Sequence, residues 1–117
     1  MTSSASSQLN IAIAGLGAVG GEVARQLINR PDEIAAVAGR PICVVAVSSR
    51  NREADRGFSM AGIDWVDNTL DLAARSDVDV VVEMIGGSEG VALDLARATL
   101  AAGKSFCLLY TSDAADE

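Results

Sequence analysis

The sequence contains no histidine, and only two of its 117 residues are cysteine. Without histidine, imidazole acid–base catalysis and histidine metal sites are excluded. Cys43 and Cys107 stand far apart and match no metal-ligand spacing, so we expect no metal site. Cys43 falls in an apolar run and is predicted to be a small core residue.

Aromatic residues are scarce at 3%, and the formal net charge is −7. An acidic chain with one tryptophan and one tyrosine lacks the basic patch and the stacking surface of nucleic-acid-binding proteins. It would also be repelled by an anionic membrane. No apolar run reaches the roughly 20 residues that span a bilayer. The serine-rich residues 1–8 are unlike a signal peptide and predict a disordered tail. We therefore expect a cytoplasmic protein with no nucleic-acid or membrane partner.

Apolar strand-like runs alternate with helix-like segments along the chain. At 117 residues the chain is expected to hold one domain at most. Strands are predicted at 9–14, 42–47, 63–66, 78–85 and from 104 onward, with helices at 18–29, 32–38, 69–74 and 90–102. This alternation predicts an α/β fold with a doubly wound parallel sheet of the Rossmann type, incomplete at the C-terminus. Strand one should lie between strands two and four, with a ligand at the carboxyl ends of strands one and four.

A glycine-rich run follows the first strand and opens the first helix. Its residues are Gly15, Leu16, Gly17, Ala18, Val19 and Gly20. Gly15 permits a tight turn, Gly17 lets a pyrophosphate approach the backbone, and Gly20 lets the helix pack closely on the sheet. The N–H groups at the helix start would bind the phosphates. We predict that these six residues bind a dinucleotide cofactor, against the alternative of a strand-turn-helix without a ligand.

The residues after strand two bear on the choice of cofactor. NAD-binding units usually place a carboxylate there, to bind the ribose 2′-hydroxyl. Here Ser49 and Arg50 follow the strand, with Arg52 close behind. Arginine pairs with a 2′-phosphate, which a carboxylate would repel. We therefore predict Ser49 and Arg50 as cofactor-binding residues and NADP as the preferred cofactor, with NAD possible. The alternative is that Arg50 and Arg52 are solvated loop charges.

Strand four ends in Gly86-Gly87, where the backbone is predicted to lie against the cofactor. A plain strand-to-helix turn is the alternative.

Two helix faces are predicted to pack on the sheet. They comprise Val19, Val23, Leu27 and Ile28 in the first helix, and Leu93, Ala96, Leu100 and Ala101 in the last.

Several segments together resemble bacterial homoserine dehydrogenase. They are residues 10–21, 39–42, 44–48, 55–57, 65–67, 77–87 and 101–104, so the resemblance covers about Leu9 to Phe106. It implies an enzyme that interconverts homoserine and aspartate semialdehyde with NAD(P)H, on the way to threonine and methionine. It also implies that this first domain holds the cofactor, while substrate-binding and catalytic residues come from a later domain. No catalytic residue is therefore expected in this chain, and the parent protein is expected to be a homo-oligomer.

The resemblance stops near the end of the sequence. Members of that family continue with a strand ending in Thr-Ala-Asn-Lys, whereas residues 107–117 read like a translated sequencing adapter. We therefore expect a dinucleotide-binding domain at 9–106, a non-native tail at 107–117 and no dehydrogenase activity from the chain alone. Two alternatives stay open at this point. One is a nucleotide-sensing regulatory module, and the other is a different NAD(P)-dependent semialdehyde or amino-acid dehydrogenase.

Overall fold

The computed structural model describes residues 8–49, 59–84 and 91–108. Its elements are β1 (Leu9–Ala14), α1 (Ala18–Asn29), α2 (Pro31–Ala38), β2 (Ile42–Ser48), β3 (Asp64–Trp65), α3 (Asp71–Ala74), β4 (Val80–Glu83), α4 (Val91–Ala101) and β5 (Ser105–Leu108). The predicted bounds of β1 and α1 are confirmed, whereas β3 is shorter than predicted. Within these residues no helix has the length and apolarity needed to cross a membrane.

The strands form one parallel sheet in the order β3-β2-β1-β4-β5. The central strand β1 pairs with β2 on one side and with β4 on the other. The winding therefore reverses at the carboxyl end of β1, where ligands bind in open α/β sheets. The predicted Rossmann-type sheet and the neighbours of strand one are confirmed.

The two faces of β1 carry side chains of different size. Ile11 and Ile13 belong to the core cluster that includes residues of α1. Ala12 and Ala14 belong to a second cluster, which includes residues of α3 and α4. All four are buried, and each buried isoleucine stabilises the fold by about 2 kcal/mol. Apolar residues on both faces explain why β1 reads as a continuous apolar run.

The link between β1 and β2 contains a proline at the start of α2 and a glycine at its end. Pro31 begins α2, where a missing N–H removes no helical hydrogen bond. Gly39 ends α2 in the left-handed conformation, with φ of 84°, and its N–H donates to the carbonyl of Ala35 at 2.8 Å. These two residues set the length of α2, because each stops the helix from continuing past it.

The predicted apolar face of α4 is wrong. Leu93 is 49% exposed and Leu100 is 62% exposed, whereas Ala92, Leu95 and Thr99 are buried. Both sets recur at helical spacing, so periodicity alone does not distinguish them. The buried hydroxyl of Thr99 donates to the carbonyl of Leu95 at 2.7 Å, which removes the usual cost of burying a threonine.

The predicted face of α1 is confirmed in part. Val23, Leu27 and Ile28 pack against the cluster around Ile11 and Ile13. Val19 lies in the first turn of the helix and is 49% exposed, so it does not belong to this buried face.

Charged side chains meet at the amino end of the sheet, remote from the carboxyl ends. Arg75 donates to both carboxylate oxygens of Asp77, at 2.9 and 2.8 Å, and to Asp64 at 2.7 Å. The hydrogen bonds from Arg75 lower the pKa of Asp77. Asp79 accepts from the backbone N–H of Asn10 at 2.9 Å. Asp77 and Asp79 are exposed, and both carboxylates are hydrogen-bonded, that of Asp77 to Arg75 and that of Asp79 to the backbone of Asn10.

Both predicted tails reach beyond the described residues. Residues 1–7 and 109–117 lie outside them. Of the remaining tail residues, Cys107 and Leu108 belong to β5, where they pair with Val82 and Glu83 of β4. The domain boundary at 106 stays a prediction.

Candidate functional site

The first glycine of the loop lies where the sheet reverses its winding. Gly15 has φ of 100°, a conformation that favours glycine. Its N–H donates to the carbonyl oxygen of Ser48 at the end of β2, at 2.7 Å. On the other side of β1, the N–H of Met84 donates to the carbonyl oxygen of Ala14 at 2.8 Å. The loop therefore begins between the ends of β2 and β4.

Gly20 allows the first turn of α1 to touch this loop. A Cβ atom on Gly20 would lie 1.9 Å from the carbonyl oxygen of Gly15 and 3.0 Å from Cβ of Met84. The first distance is far below any van der Waals contact, so a larger residue would push the helix and the loop apart. Close packing of the helix on the loop therefore requires glycine at this position.

Gly17 is in the opposite situation. It is exposed, and a Cβ atom on it would meet nothing within 4 Å among the described residues. Its φ of −73° is open to any residue, so neither packing nor backbone conformation within the described residues demands glycine here. Open space beside a bare backbone is what an approaching pyrophosphate requires.

The helix start beside Gly17 suits an anion. Gly17 is the N-cap of α1 and makes no side-chain capping bond, and the first turn holds no acidic residue. The N–H of Gly21 donates to the carbonyl of Gly17 at 2.8 Å. The N–H groups of the turn from Ala18 to Gly20 precede this bond and point toward the carboxyl edge of the sheet. Their dipoles, together with a first turn that holds no acidic residue, favour phosphate oxygens.

Leu16 and Val19 complete the predicted loop residues. The side chain of Leu16 is 4% exposed and belongs to the core cluster of the α1 face. It fixes the loop to the core, so only its backbone is placed to face a ligand. Val19 is half-exposed beside the helix start, where its side chain is accessible to a ligand.

The end of β2 is linked to the segment that follows β3. Ser48 is 4% exposed, and its hydroxyl lies 2.9 Å from the hydroxyl of Thr69. Ser49 follows and is half-buried. Arg50, predicted to bind a 2′-phosphate, and the nearby Arg52 lie outside the described residues. Sequence reasoning did not assign Thr69 to the site, since only the sheet order brings it beside Ser48.

The end of β4 places a buried carboxyl group near the same edge. Glu83 is fully buried and pairs with Ala14 of β1 and Leu108 of β5. Gly86 and Gly87, predicted to lie against the cofactor, are outside the described residues. Within the described part of the chain, no group of three or more Cys, Asp and Glu side chains could hold a metal ion.

These features fit a dinucleotide better than other ligands. The loop offers bare backbone at Gly17, helix N–H groups and a close helix-to-loop contact at Gly20, which together suit a diphosphate. The end of β2 and the segment before α3 bring together the hydroxyls of Ser48 and Thr69. Hydroxyls donate and accept hydrogen bonds, so they suit the ribose side of such a ligand.

Sequence comparison identifies the domain type. Residues 15–112 match the family model "Homoserine dehydrogenase, NAD binding domain". The homoserine dehydrogenase of Methylobacillus glycogenes is 38% identical over 79 residues, which is 68% of this chain and 19% of that protein. That of Mycobacterium tuberculosis H37Rv is 32% identical over 113 residues, covering 92% of this chain and 25% of that protein.

Structural comparison gives the same result. The chain resembles a homoserine dehydrogenase from Thiobacillus denitrificans with a TM-score of 0.73 and 33% identity, covering 86% of this chain and 23% of that one. A Staphylococcus aureus homoserine dehydrogenase has a TM-score of 0.74 at 23% identity, covering 89% of this chain and 26% of that one. The second likeness shows the fold alone.

The chain spans about a quarter or less of each of these proteins. The matched family model is that of an NAD-binding domain, so the cofactor is a nicotinamide dinucleotide. The chain belongs to the homoserine dehydrogenase family and represents its NAD-binding domain.

Proposed function

We propose that this chain is the coenzyme-binding part of an NADP-preferring homoserine dehydrogenase. The observation that carries the proposal is the position of the glycine loop at the switch point of the sheet. There Gly15 is bonded to the end of β2, and the start of α1 is open beside Gly17. The N–H groups of the loop and of the helix start bind the diphosphate, and the exposed surface at Gly17 receives it.

The preference for NADP is supported by the residues around the end of β2. Ser48 and Ser49 end the described part of this segment, and Arg50 and Arg52 follow in the sequence. Residues 48–52 contain no carboxylate, whereas NAD-binding units use one to bind the ribose 2′-hydroxyl. A guanidinium group pairs bidentately with a phosphate, so Arg50 is proposed to bind the 2′-phosphate.

The reaction of the whole enzyme is proposed to be hydride transfer between the coenzyme and homoserine or aspartate semialdehyde, within threonine and methionine biosynthesis. When bound, the nicotinamide supplies the hydride chemistry. This chain contributes the binding and orientation of the coenzyme. Turnover also requires the aldehyde to be held at reacting distance. Because the matched residues cover only 19% and 25% of these relatives, we propose that the 117 residues alone are inactive.

Calorimetric titration with NADPH and NADH tests the coenzyme preference. The wild-type chain is expected to bind NADPH more tightly, and Arg50→Ala should weaken NADPH binding by about tenfold while changing NADH binding little, as for one charged hydrogen-bonded contact. Arg97→Ala, which removes an exposed arginine on α4, is the matched control and should change neither affinity. Tighter binding of NADH, or an unchanged preference in Arg50→Ala, would contradict the proposal.

A separate measurement tests the proposed inactivity. The purified chain is incubated with homoserine and NADP, and NADPH formation is followed by its absorbance. No homoserine-dependent NADPH should form, even where calorimetry shows the coenzyme bound. Formation that scales with protein concentration would mean that these residues also hold the substrate.

A further inference from the structure

The hydroxyls of Ser48 and Thr69 join two segments that the sequence separates by a whole strand. Their oxygens lie 2.9 Å apart, a hydrogen-bonded distance. Ser48 is the last residue of β2, and Thr69 lies between β3 and α3. Ser48 is buried and Thr69 is half-buried. Burial of Ser48 therefore shields the hydrogen bond of the pair from most competing water.

Ser48 is also bonded to the glycine loop. Its carbonyl oxygen accepts the N–H of Gly15 at 2.7 Å, while its hydroxyl is paired with Thr69. Three segments therefore meet at one residue: the loop before α1, the end of β2 and the segment before α3. A shift of Thr69 would be transmitted to the end of β2, and from there to Ser49.

Thr69 is itself held in place by backbone bonds. Its carbonyl oxygen accepts the N–H of Leu72 at 3.1 Å. The preceding residue, Asn68, accepts the N–H of Leu70 on its side chain at 3.0 Å. At the end of β3, the N–H of Val66 donates to the carbonyl of Val47 at 2.9 Å. The segment that carries Thr69 is thus fixed to β2 at two points, by backbone and by side chain.

We propose that Thr69 is a positioning residue for the adenosine half of the coenzyme. In a doubly wound sheet the diphosphate lies at the helix after β1 and the adenosine ribose beside the end of β2. The Ser48–Thr69 pair fixes this second point. Within the pair one hydroxyl donates its hydrogen to the other. The accepting hydroxyl keeps its own hydrogen, which it can donate elsewhere. The pair therefore holds the end of β2, and with it Ser49, at a set distance from the glycine loop. This inference rests on the proposed binding of the coenzyme.

The test compares four chains of 117 residues by calorimetry with NADPH and with ADP, which carries the adenosine and a diphosphate but lacks the nicotinamide riboside and the 2′-phosphate. Thr69→Val removes the hydroxyl and keeps the side-chain shape, and it should weaken both ligands by the same three- to tenfold, about the value of one hydrogen bond. Thr69→Ser keeps the hydroxyl and should bind both as the wild type does.

Thr99→Val is the matched control, because Thr99 is also a threonine whose hydroxyl is bonded within the fold, to the carbonyl of Leu95 at 2.7 Å. It should lower the melting temperature without changing either affinity. Equal losses of affinity in Thr69→Val and Thr99→Val would reveal a general structural role and overturn the inference. So would wild-type affinity in Thr69→Val, or failure of Thr69→Ser to restore it. A wild-type chain that binds neither ligand would instead refute the proposed function itself.

Discussion

The carbonyl oxygen of Gly15 lies 1.9 Å from the position that a Cβ atom on Gly20 would occupy. The loop after β1 and the first turn of α1 are thus in backbone contact. Gly17, between them in the sequence, has open space around its own Cβ position. The two glycines of this motif are therefore glycines for different physical reasons. Gly20 is required by the fold, whereas glycine at position 17 is accounted for by the proposed binding of the coenzyme.

Replacing Gly20 with alanine should destabilise the chain. The added methyl group meets backbone rather than a flexible side chain, so the helix or the loop must move. Such overpacking costs about 1–3 kcal/mol of the free energy of unfolding. Urea denaturation followed by circular dichroism measures this loss, and the displaced helix start should also weaken NADPH binding. Unchanged stability in Gly20→Ala would show that the helix and the loop separate without cost.

Replacing Gly17 with alanine should leave folding intact and weaken coenzyme binding. The φ of −73° suits alanine, and no described atom lies within 4 Å of the new methyl group. Stability should therefore change by less than about 1 kcal/mol, and a small gain is possible because alanine restricts the unfolded chain. The methyl group would stand where the diphosphate approaches, so NADPH affinity should fall at least tenfold. Wild-type affinity would mean that the phosphates bind elsewhere.

Much of this fold could be predicted from local patterns. Three of these patterns act within a few residues of the chain: the apolar run before Gly15, the proline at the start of α2 and the glycine at its end. Their structural effects can therefore be predicted from the sequence. The pairing of β1 with β2 and β4 followed from the alternation of strands and helices. The same alternation predicts that the glycine loop lies where the winding of the sheet reverses.

What could not be predicted depends on contacts between distant residues. In α4, Leu95 and Leu100 both belong to apolar stripes, and only the packing of the helix on the sheet decides that Leu95 is buried. The polar Thr99 is buried because its hydroxyl is bonded within the helix, a possibility that hydrophobic periodicity ignores. Thr69 lies beside Ser48 because β3 pairs with β2. No local sequence pattern around Thr69 predicts this contact.

The ion pairs of Arg75 predict a pH dependence of stability. Hydrogen bonds from Arg75 lower the pKa of Asp77, so the folded state binds this proton less readily than the unfolded state does. The stabilisation is present above the ordinary aspartate pKa of about 3.9 and is lost as pH falls through the lower folded value. Since both side chains are partly exposed, screening limits it to about 0.5–1 kcal/mol.

Asp77→Asn isolates this contribution. At pH 7 it should lower the free energy of unfolding by that amount, and the difference from the wild type should shrink as the pH falls below about 4 and vanish once the pH lies below the lowered folded pKa of Asp77. In an Arg75→Gln background the same substitution should cost much less, because the partner is gone. Urea denaturation between pH 3 and 7 measures both. A difference that stays constant from pH 7 to pH 3 would assign the effect of Asp77 to something other than its charge.

Gly39 offers a test of backbone conformation alone. Its φ of 84° is left-handed, and no described atom lies within 4 Å of a Cβ atom placed there. Gly39→Ala should therefore cost about 1 kcal/mol, purely from the strained conformation of alanine. Gly17→Ala is the matched control, because it adds the same methyl group in open space at negative φ. Equal free energies of unfolding for the two variants would mean that α2 ends differently in solution.

The exposed leucines of α4 predict poor solubility of the isolated chain. Leu93 and Leu100 lie seven residues apart, on one face of the helix, and are 49% and 62% exposed. Exposed apolar side chains grouped in this way promote association. Replacing both with glutamate should reduce self-association, measured by sedimentation velocity and light scattering, and change the free energy of unfolding by less than about 1 kcal/mol. Leu95→Ala, on the buried face of the same helix, should instead cost about 2–5 kcal/mol. If the double variant associates as strongly as the wild type, another surface is responsible; if it unfolds, this face of α4 is buried in solution.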